Sequence, residues 1–142
     1  MEDKIRIIKL CSACLLGIKC RYDGKSRKNK KVLKLLKGDI LIPVCPEQLG
    51  GLSTPREGAE LKKGKVLTKS GKDITKTYFK GAKETLKIAK LLGVKNAVLK
   101  QRSPSCGSGQ VKLLNGSVVK TDGVTTALLK KNGIKVISEE DL

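Results

Sequence analysis

Ile5-Arg-Ile-Ile-Lys-Leu10, followed by Cys11-Ser-Ala-Cys14-Leu-Leu-Gly17-Ile-Lys-Cys20-Arg-Tyr-Asp23-Gly24, decides how this chain folds. The first six residues are β-branched and apolar enough to read as a buried strand. The next fourteen hold three of the five cysteines and two glycines, so they read as a loop built to hold something. Further along, apolar strand-like runs alternate with helical ones. Ser26 to Lys37 reads as a helix stopped by Gly38, and Asp39 to Val44 as a second strand with Pro43 near its exit. Cys45 to Arg56 reads as a Gly/Pro-rich loop. Ala59 to Ile74 reads as a small hairpin turning at Lys63-Gly64.

Ile74 to Leu92 carries Tyr78, Ala82, Leu86, Ala89 and Leu92 at spacings of three and four, the mark of one buried helical face, and Gly93 closes it. Lys95 to Leu99 is a third strand. Asn115-Gly116 signals a hairpin between Val111 to Leu114 and Ser117 to Lys120. Asp122 is placed to cap a helix running to about Lys131. Ile134 to Ile137 is the last strand, and the terminal Ile-Ser-Glu-Glu-Asp-Leu is read as its native continuation. Strands alternating with helices predict an α/β fold with a mostly parallel sheet, flanking helices and small β-hairpin insertions, in one domain over residues 1–142.

Composition narrows the chemistry. Histidine is absent, which removes any imidazole base or metal ligand and leaves proton transfer to Asp, Glu, Ser, Lys or thiols. No apolar run approaches the ~18 residues of a membrane span. The N-terminus lacks a secretion-signal layout, so a cytoplasmic location without a membrane partner is expected. Thiols stay reduced there, and an odd number of cysteines does not close into a disulfide framework. The net charge of +18 suits a polyanion such as RNA. It equally suits a solubilised surface, because the lysines are spread along the chain and aromatic residues are scarce.

Topology gives the cysteines their meaning. In open parallel sheets ligands bind beyond the carboxyl ends of the strands. Cys11 and Cys14 follow the first strand, Cys45 the second, and Cys106 the strand ending at Leu99, so all three loops are expected on one edge. Cys14, Cys45 and Cys106 sit in loops suited to close backbone approach, whereas Cys11 reads as a structural thiol at the strand end and Cys20 as a core or loop-packing one. Thiolates of this kind serve structural zinc, a redox Cys-x-x-Cys pair or an iron–sulfur cluster. Three thiolates on a cubane leave one iron without a protein ligand. Glu47, two residues after Cys45, and Ser103, three before Cys106, are the candidates for proton work.

Ser12-Ala-Cys14-Leu-Leu-Gly with Cys20-Arg-Tyr-Asp-Gly, then Cys45-Pro-Glu47 with Gly50-Gly51-Leu and Pro55-Arg56, then Ser103-Pro-Ser-Cys106-Gly, then Asp122-Gly-Val-Thr together resemble the TudS desulfidase domain over nearly the whole chain. The resemblance implies a Rossmann-like fold carrying a [4Fe–4S] cluster on Cys14, Cys45 and Cys106, with one iron not ligated by protein. It implies non-redox removal of sulfur from thiolated pyrimidines such as thiouracil, with the substrate sulfur passing through a [4Fe–5S] species. Glu47 and Ser103 take the positions of the family's catalytic carboxylate and serine. Longer relatives carry an additional domain that this chain lacks, which places a small thiolated nucleobase ahead of tRNA as the expected substrate. Two other readings stand beside it: a sulfur carrier handing cluster-bound hydrosulfide to an acceptor, and an RNA-binding protein with a structural metal.

Overall fold

The computed structural model describes residues 6–142, so Ile5 of the first expected strand lies outside the described residues. Four strands form one parallel sheet: β1 (Ile8–Ser12), β2 (Ile40–Val44), β5 (Asn96–Leu99) and β8 (Lys135–Ser138), in the order β2-β1-β5-β8. Two antiparallel hairpins stand apart from it, β3 (Ala59–Lys62) with β4 (Lys65–Thr68), and β6 (Val111–Lys112) with β7 (Val118–Val119). The helices are α1 (Lys30–Leu35), α2 (Pro46–Leu49), α3 (Thr75–Leu92) and α4 (Val124–Lys131). This is the Rossmann-like arrangement, mostly parallel with flanking helices and small hairpins.

The two faces of the sheet bury different side chains because successive residues of a strand point to opposite faces. Leu10, Val44, Ala97, Leu99 and Val136 pack with Ala89 of α3 and Leu129 of α4. Cys11, Leu41 and Val98 pack with Val32 of α1 and with Leu15. Cys11 is thus a strand residue with no exposed surface, a core thiol as its sequence context implies. Tyr78 joins a third cluster with Val66 and Ile74 beneath the first hairpin.

Several local expectations are corrected. β1 runs two residues past Leu10. The helix expected from Ser26 begins only at Lys30, because Asn29 caps it through a 3.0 Å bond from the Val32 amide. The preceding residues are tied elsewhere: the Arg27 amide bonds to the Cys14 carbonyl and the Asn29 amide to that of Leu15. The stretch after Cys45 is not all loop, since Pro46 starts the one-turn helix α2. Asp122 does not cap α4; Gly123 stands at that position, while the Asp122 carboxylate accepts the Gly109 amide and pairs with Lys130. Leu92 is half exposed and lies off the buried face of α3. The chain ends not as strand but as a 3-10 turn, Glu139–Asp141, closed by a capping box between Ser138 and Asp141. No helix among the described residues is long and apolar enough to cross a membrane.

The register aligns the strand ends. Ser12 pairs with Val44, Cys11 with Val98, and Leu99 with Ser138. Carried one residue past Cys11 and Val98, that register sets Ser12 beside Leu99. One row therefore runs Val44, Ser12, Leu99, Ser138, and the residues just beyond it emerge together.

Candidate active site

Beyond that row lies a cavity of about 430 Å³. Cys14, Cys45, Cys106, Glu47 and Ser103 all line it, although they span more than ninety residues of sequence. So does Cys20, which its sequence context reads as a core or loop-packing thiol and which is indeed buried in a core cluster as well. Cys20 is 2% exposed, and it shares that wall with Cys14 and Cys45. The Cys45 Sγ also lies 3.6 Å from the Cys20 carbonyl oxygen. Cys11 is not in the wall. The one signal that could have found Cys20 is that it shares a fourteen-residue loop with Cys14.

Glycines allow the cysteine loops to approach so closely. A Cβ on Gly81 of α3 would stand 1.9 Å from the Pro46 carbonyl oxygen, and one on Gly50 would stand 2.4 Å from that of Thr77. Pro46 and Gly50 bracket α2, whose N-cap is Cys45 and whose first turn carries Glu47. A Cβ on Gly123 would stand 2.5 Å from the Ser105 carbonyl, so the Ser103–Cys106 turn rests on the start of α4. Each of these seats is backbone against backbone, which no larger residue fits.

Glu47 is held by residues distant in sequence. The Arg56 Nε donates to its Oε1 at 3.0 Å, with side chains 7% and 17% exposed. Arg56 also donates to the Ser53 carbonyl, the Thr54 hydroxyl and, at 2.9 Å, the Cys20 carbonyl. One guanidinium thus fastens α2, the following loop and the Cys20 loop to each other. Tyr78 reaches Glu47 from α3: burial first, then the charge of Glu47 and a hydrogen bond to it, raise the phenol well above its ordinary value. Arg56→Met leaves Glu47 partly buried without its cation. The expected loss is roughly 3–5 kcal/mol of folding stability, read by urea denaturation, with Arg56→Lys falling between the two because it lacks the fork.

Ser103 has its acceptor capacity filled. Its Oγ accepts the amides of Ser105 and Cys106, each at 3.1 Å. A hydroxyl has two acceptor lone pairs and one O–H, so this serine faces the cavity with a donor to spare. Burial pushes the Cys106 thiol up to about 12, against a hydrogen bond with Ser12. Hydrogen bonding to Cys20 and burial push the Cys45 thiol up as well. Loading metal onto such thiols must displace protons.

The donor set fits an iron–sulfur cluster. It is all thiol, with no histidine anywhere in the chain. Among the described residues no three Cys, Asp or Glu side chains converge closely enough to chelate a single ion. A cluster does not require that convergence, because its thiolates ring a cage of several irons. Pro46 and Pro104 line the cavity, whereas Leu15 is buried in the core.

Comparison with known proteins shows which family the chain resembles. Residues 10–141 match the family model described as 2-thiouracil desulfurase. A Bacillus subtilis (strain 168) protein, the uncharacterized protein YbbK, is 43% identical over 94% of this chain and 96% of its own length. The solved structure of a [4Fe–4S]-dependent thiouracil desulfidase, TudS, superposes with a TM-score of 0.91 at 40% identity, covering 96% of this chain and 93% of that one.

Proposed function

The chain belongs to the 2-thiouracil desulfurase family, and from that premise we propose that it is an enzyme replacing the sulfur of a thiolated pyrimidine with oxygen at a [4Fe–4S] cluster held by Cys14, Cys45 and Cys106. The observation that carries this reading is the meeting of three strand-end thiols, a held carboxylate and a donor hydroxyl around one cavity. When bound, the cluster supplies a Lewis-acidic iron with a free position for the soft thiocarbonyl sulfur.

The protein's own groups do the rest. Glu47 takes a proton from water, and the oxygen attacks the thiocarbonyl carbon. Arg56 fixes the rotamer of that carboxylate. Ser103 donates its O–H to the heterocycle. The carbon–sulfur bond breaks, sulfur leaves as hydrosulfide, and a carbonyl stands where the thiocarbonyl stood. Water and thiocarbonyl go in, carbonyl and hydrogen sulfide come out, and no electron is gained or lost. Pro46 and Pro104 give part of the cavity wall an apolar surface.

Anaerobic purification tests the reading. The expected protein is brown, contains about four irons and acid-labile sulfides per chain, and converts 2-thiouracil to uracil with release of sulfide. Zinc alone, with no desulfuration after anaerobic iron–sulfide reconstitution, overturns it.

A further inference from the structure

Lys100 lines the cavity with Ser103 and Cys106, yet the reaction as written gives it no task. It is the first residue past β5, and the register of Leu99 with Ser138 puts it next to Glu139. Its Nζ donates to Glu139 Oε2 at 3.0 Å and to the Gln101 carbonyl at 3.1 Å. Glu139 is 7% exposed, and its other oxygen accepts the Gln101 amide at 2.7 Å. The Lys100 amide donates to Ser12 Oγ at 2.8 Å. Three adjacent strand ends thus grip this lysine at both its amide and its ammonium.

An ammonium carries three N–H donors. Two are used, and among the described residues the third has no acceptor. The other buried or part-buried cations of the wall are committed differently: Arg56 to Glu47, Arg102 to Glu140, and Arg21 to Asp23. Setting an ion pair into the interior is costly, since desolvation offsets much of the attraction. This pair borders the cavity, with Lys100 in its wall.

Resting on the function proposed above, we infer that Lys100, held by Glu139, donates its remaining N–H to the carbonyl oxygen of the pyrimidine that the reaction leaves in place, and so selects oxo-thiopyrimidines over thioheterocycles lacking that oxygen. The chemistry suits an ammonium donor. The ring N–H of a thiouracil is acidic, and the charge left after its loss is shared with that oxygen. A charge-assisted hydrogen bond there holds the ring by its oxygen end and leaves its sulfur to the thiols. Glu139 is the positioning residue, because it touches the lysine and not the substrate.

Comparing 2-thiouracil with pyrimidine-2-thione, which lacks the second oxygen, tests this on the iron-loaded protein. Wild type should favour 2-thiouracil in kcat/KM by about tenfold to a hundredfold, the size of one hydrogen bond to a charged group. Lys100→Met should lose about that factor on 2-thiouracil and little on the thione, so the preference collapses. The double variant Lys100→Met with Glu139→Gln should behave alike, and it guards against misfolding around an unpaired carboxylate. Uracil binding by calorimetry, at equal iron content, should weaken by the same factor in both variants. Equal losses on the two thiones, or unchanged uracil binding, overturn the assignment. Wild-type protein that holds its iron but desulfurates neither compound overturns the proposed function instead, and uracil binding alone then decides the role of Lys100.

Discussion

Glu47→Gln should retain its iron and lose turnover by about 10²- to 10⁴-fold, the usual contribution of a positioned general base. Glutamine keeps the shape of the side chain and an acceptor for the Arg56 Nε at the 3.0 Å contact, so the cavity wall should stand. What it removes is the ability to accept a proton from water. The clean measurement is single-turnover conversion of 2-thiouracil alongside iron and sulfide content. Lost chemistry with an intact cluster assigns Glu47 to the proton step. Near-normal rates would move that step elsewhere, and the cavity offers few substitutes in a chain without histidine. Some loss of stability should accompany the change, since Arg56 then sits 7% exposed without a counter-charge.

Gly81→Ala should be the most damaging single methyl in the chain. The added Cβ would stand 1.9 Å from the Pro46 carbonyl oxygen and 3.2 Å from the Gly50 amide nitrogen. Neither is a flexible side-chain end that can swing aside. Helix α2 must lift from α3, and it carries Cys45 at its N-cap and Glu47 in its first turn. The expected cost is about 1–3 kcal/mol, as for overpacked interiors, with iron retention and activity falling together. Gly38→Ala is the control, because nothing lies within 4 Å of the methyl it would add. Urea denaturation of both variants, with iron per chain after anaerobic reconstitution, reads the difference. Unchanged iron retention in Gly81→Ala would mean that α2 tolerates displacement and that Cys45 is not fixed by this seam.

Both variants probe one construction. A ligand thiol, the carboxylate beside it and the helix that seats them are joined through backbone contacts, so stability and site geometry are coupled at α2. Arg56 adds a second fastening, running from Glu47 to the Cys20 carbonyl. Disturbing either should therefore affect metal retention as well as chemistry, whereas Lys100→Met should affect binding preference with the cluster intact.

The α/β class was legible because it rests on local signals: apolar runs of strand length, the three-and-four spacing of Tyr78, Ala82 and Ala89, and turn chemistry at Lys63-Gly64 and Asn115-Gly116. In a parallel sheet those signals also imply that loops following strands share an edge, which is why Cys14, Cys45 and Cys106 group together on sequence grounds. Local misreadings had local causes. Asn29 offered a cap inside a stretch that otherwise looked helical, and Pro46 opened a single turn of helix within a Gly/Pro-rich loop.

Composition and short-range periodicity, which require no knowledge of what packs on what, were enough for the alternation of the main strands and helices, the all-thiol donor set and the absence of any imidazole. Tertiary structure alone decided which side chains meet. Arg56 reaches Glu47 and Cys20, Tyr78 reaches Glu47 from a different helix, and Lys100 finds Glu139 because the strands they follow are neighbours in register. Cys20 is both a buried core thiol and part of the cavity wall for the same reason. A loop's thiol faces a site or a core according to what the rest of the chain brings against it, and here Cys45 and Arg56 bring the site.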